Sequence, residues 1–226
     1  MKYQKIIKGE FVVRVNRFTA KVKIETAEVL CHVKNTGRLR ELLVEGTEVY
    51  LEKADNPTRK TAYSLIAVKK DGFLVNIDSQ APNKMVREWL EEHKTENKML
   101  YLKPECTFGN SRFDFYMETE QKKEWIEVKG VTLVENEIAM FPDAPTQRGM
   151  KHIEELIRAV QEGYSAKIIF VIQRKGVKAF SPNKVMHPDF AEALRKAAEV
   201  GVEILAYDSI VTENSVIIDG DVEVLL

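Results

Sequence analysis

The chain has no apolar run approaching the ~20 residues needed to span a bilayer. Its first residues, MKYQKIIKGEF, lack the apolar centre of a secretory signal. The expectation is therefore a cytoplasmic protein with no membrane contact. Cysteine is scarce. Cys31 and Cys106 stand far apart, with neither a CxxC pair nor the even spacing of a disulfide framework, so reduced, partly buried thiols are expected. An excess of charge of one sign is missing too: 34 Lys and Arg meet 35 Asp and Glu. Bulk charge thus does not announce a nucleic-acid partner. Internal repeats and low-complexity tracts are also absent.

What is present is unevenly distributed. Residues 1–82 carry 15 Lys and Arg against 10 Asp and Glu, and the remainder carries 19 against 25. A basic front and an acidic back suit a nucleic-acid-gripping module joined to a carboxylate-bearing one, although ordinary surface variation gives a difference of this size as well. The front half reads as short β runs, FVVRVNRF, AKVKIET, EVLCHV, TEVYLEK, TAYSLIAVKK and GFLVNIDS. They are separated by turn signals at NTG (35–37), EGT (45–47), ADNPTRK (54–60) and KKDG (69–72). Five or six strands at this spacing suggest a small closed barrel or a sandwich, and five strands in roughly 75 residues suit an OB-like barrel. Alternation in the first run sends Val13 and Val15 inward and leaves Arg14 outside, with Arg17, Lys21, Lys23 and Phe18 nearby.

Pro82 breaks the strand pattern, and the domain boundary is placed there: 1–82 as an OB-like nucleic-acid-binding domain, 83–226 as a mixed α/β domain. Asn83 is read as the N-cap of a helix over 84–93. Strands follow at 98–106, 111–118 and 124–131, then a helix at 146–162, a strand at 166–173, a helix at 187–200 and a strand at 202–208. The end, SVIIDGDVEVLL, reads as a hairpin turning at DG. The core order is αβββαβ. IIFVI (168–172), apolar throughout, suits a central strand buried on both faces.

The chemistry concentrates in RFDFYMETEQKKEWIEVKG (112–130). Folded as a hairpin, it sets Asp114 opposite Glu127 and Tyr116 opposite Trp125. Arg112, Asp114 and Tyr116 then share one face and Phe113 and Phe115 the other, while Trp125, Glu127 and Lys129 lie opposite Ile126 and Val128. Facing carboxylates are only ~5 Å apart and repel. A proton or Lys129 offsets this in part, and a divalent cation offsets it best. Mg²⁺ often takes just one or two protein carboxylates and leaves its other positions to water and phosphate. Asp, twelve residues, then Glu-Val-Lys on a hairpin is thus a geometry suited to metal-dependent phosphodiester hydrolysis. A surface ion cluster is the alternative. Glu105, on the preceding strand, is a candidate third carboxylate or an ordinary strand-edge charge.

FPDAPTQRGMKHIEEL (141–156) reads as a stiff loop entering a helix. Asp143 is the candidate cap. Arg148 and Lys151 near the helix start are candidate phosphate contacts, and His152 shares a face with Arg148 as either a core or a functional residue. Asn35 and Gly37 make a turn from which Arg38 and Arg40 reach outward. Tyr3, Phe18, Tyr50 and Tyr63 are either base-stacking or half-buried barrel residues.

FGNSRFDFYM, WIEVKGVTLVENEIAMFPDAPTQRGMKHIEEL, HVKNTGRLREL (32–42), IIFVIQR and GVEILAY together resemble the sugar fermentation stimulation protein A (SfsA) family, over essentially the whole chain. The resemblance implies an OB-like N-terminal domain and a C-terminal domain similar to the PD-(D/E)XK nucleases. Asp114 and Glu127 then match the metal carboxylates and Lys129 the lysine, while Phe113 stands where the literal motif has proline. Family members are described as DNA-binding, and the family name reflects a link to sugar metabolism and a regulatory role. The expectation is a largely sequence-nonspecific DNA-binding protein with an Mg²⁺- or Mn²⁺-dependent nuclease site at Asp114, Glu127 and Lys129, with Glu105 as a further metal ligand. The strand would be gripped by Arg14, Arg17, Arg38, Arg40, Arg112, Arg148 and Lys151. The alternative is a DNA-binding regulator that does not cut. RNA is equally compatible with these residues, and no residue argues for an oligomeric state.

Overall fold

A computed structural model describes residues 1–56, 58–96 and 98–226. Pro57, in the 54–60 turn signal, lies outside the described residues. The front of the chain forms β1 (Ile6–Asn16), β2 (Thr19–Ile24), β3 (Ala27–Val33), β4 (Glu48–Lys53), β5 (Tyr63–Lys70) and β6 (Phe73–Asn76). β1 pairs with both β2 and β4, β2 with β3, and β4 with β5. β3 then runs parallel to β5 and closes the five-stranded barrel of an OB fold. Phe11, Val22, Cys31, Val49, Leu51 and Leu65 fill its interior.

One expectation for β1 is reversed. Its register with β2 slips between Phe11 and Val13. A bulge of this kind moves the following side chains to the other face. Val13 and Val15 are consequently exposed, at 46% and 52%, while Arg14 is the half-buried residue.

The rest of the chain forms α1 (Ala81–Glu92), β7 (Met99–Phe108), β8 (Ser111–Thr119), β9 (Lys123–Val131), β10 (Val134–Glu135), β11 (Ile138–Phe141), α2 (Gln147–Gln161), β12 (Ser165–Ile172), β13 (Ala179–Pro182), α3 (Pro188–Val200), β14 (Glu203–Val211), β15 (Val216–Asp221) and β16 (Glu223–Val224). The main sheet has the order β15-β14-β12-β9-β8-β7. β9, β12 and β14 are parallel, and β7 and β8 form an antiparallel meander beside them. β12 is central and buried on both faces, as its apolar sequence requires.

Both sheet faces are covered. Ile153 and Leu156 of α2, with Phe190 and Leu194 of α3, pack on one. Met85, Val86 and Leu90 of α1 pack on the other, together with Tyr3, Tyr50, Ile66 and Ala67 of the barrel half. The barrel thus docks directly on the sheet. The Asn76 N–H bonds the Gln173 carbonyl across this junction at 2.9 Å.

Four local expectations are corrected. α1 begins at Ala81, with Pro82 in its first turn, where a missing N–H forfeits no helical bond. Asn83 is inside the helix and not its cap. Thr146, not Asp143, caps α2, its hydroxyl accepting from the Gly149 N–H at 3.0 Å. The DG near the C-terminus makes no hairpin. β15 runs through it, and β16 joins β10, β11 and β13 in a separate small sheet. Finally, Phe113 and Phe115 do not share a face. Phe113 packs with Trp125 in the α2–α3 core, and Phe115 with Ile126 and Val128 in the α1 core. The alternation breaks at Asp114, opposite Glu105, whose φ of 52° is unusual for a residue with a side chain.

Candidate functional site

The β8–β9 hairpin keeps the register that its alternation suggests, with Tyr116 opposite Trp125 and Phe115 opposite Ile126. The backbone ladder ends there. One residue beyond, the Asp114 side chain replaces a backbone acceptor. Its Oδ2 accepts from the Val128 N–H at 2.8 Å, and its Oδ1 from Asn83 Nδ2 at 2.6 Å. The Asn83 side chain on α1 thus anchors the carboxylate.

Glu127 on β9 is 2% exposed. One of its oxygens, Oε1, receives both the Lys129 ammonium and Nδ1 of His152 on α2. The other, Oε2, is buried with no hydrogen-bond partner among the described residues. A buried, bare carboxylate oxygen costs free energy that a native fold seldom leaves uncompensated. The two carboxylates are also driven apart electrostatically. Burial and the neighbouring Glu127 charge raise the Asp114 pKa, against the Val128 N–H, Lys129 and Asn83. Burial raises Glu127 as well, but the His152 hydrogen bond and the Lys129 charge outweigh it and hold Glu127 below its ordinary range.

This donor set fits a hard divalent cation. It offers one bare oxygen aimed away from its own partners, a second carboxylate close enough to repel it, and oxygen as the ligand atom. Among the described residues, no group of three or more His, Cys, Asp or Glu side chains converges on one point. Glu105, expected as a third carboxylate, is not gathered in. Its side chain is 67% exposed, and its carboxylate lies 3.7 Å from Arg112 on the neighbouring strand. The Asp114–Glu127 pair would therefore leave most of a cation's positions to water and substrate.

The basic residues separate into groups. Arg17 and Arg38 from the barrel face Pro142, Thr146 and Arg148 across a cleft of about 600 Å³. An adjoining pocket of about 430 Å³ adds Arg40. Gly37 permits this approach: a Cβ there would lie 2.7 Å from Asp143 Oδ2. Arg148 links cleft and carboxylates, for its Nε lies 3.4 Å from His152 Nε2. Arg112 stands apart with Glu105, and Lys151 is exposed on α2 away from the cleft wall.

Arg14 lines the pocket but is not free to grip a ligand. All five of its N–H donors are spent on the carbonyls of Asn16, Arg17, Asn35, Gly37 and Arg38. It is the clamp that holds the 35–38 turn in place. Of the four aromatic candidates, Tyr3 and Tyr50 are buried where barrel meets sheet, and Tyr63 is packed against the barrel core. Phe18 alone is largely exposed, at 49%, with the Arg17 guanidinium over its ring.

Sequence reasoning missed the anchoring role of Asn83 and left His152 open. One signal was available: His152 lies on the same helical face as Ile153, Leu156 and Ala159, the face α2 buries.

Comparison with known proteins agrees along the whole chain. The family model described as the sugar fermentation stimulation protein RE domain matches residues 80–215, and that of the SfsA N-terminal OB domain matches residues 12–77. The sugar fermentation stimulation protein homologs of Ruminiclostridium cellulolyticum and Clostridium beijerinckii are 53% and 51% identical over 226 residues, covering 100% of both chains in each case. A solved structure described as Pyrococcus furiosus SfsA in complex with Ca²⁺ matches with a TM-score of 0.88 at 32% identity, covering 100% of this chain and 98% of that one. The chain belongs to the sugar fermentation stimulation protein family.

Proposed function

We propose that the protein binds DNA through the cleft between its two halves, largely without regard to sequence, and hydrolyses a phosphodiester at Asp114 and Glu127 with Mg²⁺ or Mn²⁺. The observation that carries this is the buried, unpartnered Oε2 of Glu127 beside Asp114. The Ca²⁺ in the description of the Pyrococcus furiosus relative supports a hard-cation site in this fold. A divalent cation bound by the two carboxylates would supply positive charge to the phosphate and acidify water.

The chain's own residues do the rest. Arg17, Arg38 and Arg148 hold backbone phosphates along the cleft, and Phe18 offers one exposed ring for a base to stack on. Lys129, bonded to Glu127 and 15% exposed, is placed to hold a water and stabilise charge building on the phosphate. Grip through phosphates gives weak sequence preference and steep salt dependence. RNA would satisfy the same contacts.

The test is cleavage of single-stranded and duplex DNA with Mg²⁺ or Mn²⁺, alongside strand affinity, for wild type and Asp114→Ala. The expected result is metal-dependent cutting by wild type only, with strand binding retained in the variant. Strand binding with no cutting by wild type would favour a second reading, a non-cleaving DNA-binding regulator linked to sugar metabolism. That reading is favoured by the absence, among the described residues, of any group of three or more His, Cys, Asp or Glu side chains placed to hold a metal ion.

A further inference from the structure

His152 is a buried polar residue on the apolar face of α2, 4% exposed, with the Phe113 ring against it. Both of its ring nitrogens are engaged: Nε2 faces the Nε of Arg148, and Nδ1 faces Oε1 of Glu127. A guanidinium N–H can only donate, so the nitrogen facing it must carry a lone pair. That assigns the ring proton to Nδ1, where it donates to Glu127. Arg148 therefore sets the tautomer, and the tautomer sets the carboxylate.

The consequence appears on Glu127. With Lys129 and His152 both on Oε1, the carboxylate is fixed from one side and Oε2 is left bare. We propose that Arg148 and His152 are a positioning pair for the cation carboxylate: Arg148 holds His152 as the Nδ1–H tautomer, and His152 holds Glu127 turned so that Oε2 faces the cation. Neither residue would itself be a ligand of the cation. The geometry is that of an outer-shell partner that orients a ligand, a role whose loss typically costs 10–100-fold in metal affinity. Arg148 uses only Nε for this. Its terminal nitrogens have no partner among the described residues and remain available on the cleft wall. One guanidinium thus connects the strand-binding cleft to the cation carboxylate.

This inference rests on the cation-site reading above, and the experiment separates the two. Ca²⁺ is titrated by calorimetry into wild type, His152→Leu, His152→Asn and Arg148→Lys. The Asn variant places an amide N–H near the position of Nδ1 and should bind Ca²⁺ within about threefold of wild type. His152→Leu should lose about 10–100-fold. Arg148→Lys should fall between them, because it keeps the charge and lacks the directed Nε–H. Ring-¹⁵N spectra of wild type should show His152 protonated at Nδ1, and the Lys variant should show a mixture of the two tautomers.

If wild type binds no Ca²⁺, the cation-site reading falls and the positioning role falls with it. If wild type binds Ca²⁺ and His152→Leu binds it equally well, the positioning role alone is overturned. A wild-type spectrum with the proton on Nε2 overturns it too, and needs no variant to fold.

Discussion

Arg14, half-buried in the barrel, and Glu127, buried in the α/β half, are both charged side chains with several partners, and they are treated in opposite ways. Arg14 has five donors and five carbonyl acceptors, each within 3.3 Å. Nothing is left over. Among the described residues, Glu127 has two donors on one oxygen and none on the other. A completely satisfied charge is a structural device. Glu124 and Glu155 also carry a bare buried oxygen among the described residues, and what sets Glu127 apart is the second carboxylate, Asp114, beside it. The accounting of individual donors and acceptors separates Arg14 from Glu127.

The largest expected effect breaks the comparison on the barrel side. Arg14→Lys keeps the positive charge, but three donors on a flexible stem cannot meet five carbonyls arranged around a planar fork. The turn at 35–38 should loosen and the protein should lose about 2–3 kcal/mol, the scale of one or two hydrogen bonds to a charged group. Urea denaturation measures this. Arg38 is carried on that turn and should lose its fixed place on the cleft wall, so strand affinity should drop along with stability. An Arg14→Lys protein as stable as wild type, with weakened strand binding, would return Arg14 to the role of a direct ligand contact.

A smaller effect sharpens the comparison on the other side. The Asp114 pKa is raised in the fold by burial and by Glu127. The folded protein therefore holds that proton more tightly than the unfolded chain does. Between the ordinary carboxylate range and the raised folded value, stability falls as pH rises, and above the folded value the cost is present in full. Asp114→Asn removes the charge. Its amide oxygen can still accept from Val128, and an Asn83 turned about its amide can pair with the other end. Without metal at neutral pH the variant should melt about 2–4 °C higher, the shift that ~1 kcal/mol gives in a protein of this size. Saturating Ca²⁺ should reverse the order by stabilising only wild type. Thermal melts with chelator and with Ca²⁺ test both halves. A lower melting temperature for Asp114→Asn in chelator would mean that the carboxylate pays its own way in the fold, and the site would then need no cation.

These features were legible in the sequence to different degrees, for physical reasons. The hairpin register was readable because side chains alternate with period two about a polar turn, so Tyr116 had to meet Trp125. The closed barrel and the buried β12 were readable from strand spacing and from IIFVI. Breaks in the alternation were not readable. The slip between Phe11 and Val13 exchanged the faces of Val13 and Arg14, and the break at Asp114 sent Phe113 and Phe115 to opposite cores. A shift of one residue inverts every assignment beyond it and leaves no mark in the hydrophobic pattern. Asn83 and His152 escaped for another reason. Each acts across helix-on-sheet packing, on a strand residue 31 or 25 positions away. Helical periodicity gives the face of a side chain but not which strand residue that face meets.

The smallest effect concerns a charge that is neither satisfied nor left waiting. Arg112 is 61% exposed, and its contact with the equally exposed Glu105 is 3.7 Å long. Exposed pairs of this kind contribute about 0–1 kcal/mol. Arg112 is at the start of β8, beside the β7–β8 turn, while Arg17 lies on the cleft wall. Arg112→Ala should leave stability within about 0.5 kcal/mol. It should also leave unchanged the slope of log affinity for a single-stranded oligonucleotide against log salt. Arg17→Ala should make that slope shallower by about one, the signature of a single lost phosphate contact. The two variants remove the same charge from the same protein, so general electrostatics would treat them alike, and only position in the cleft can make them differ. If Arg112→Ala flattened the slope as much as Arg17→Ala, the bound strand would have to cross the β7–β8 turn, and the cleft would not be its path.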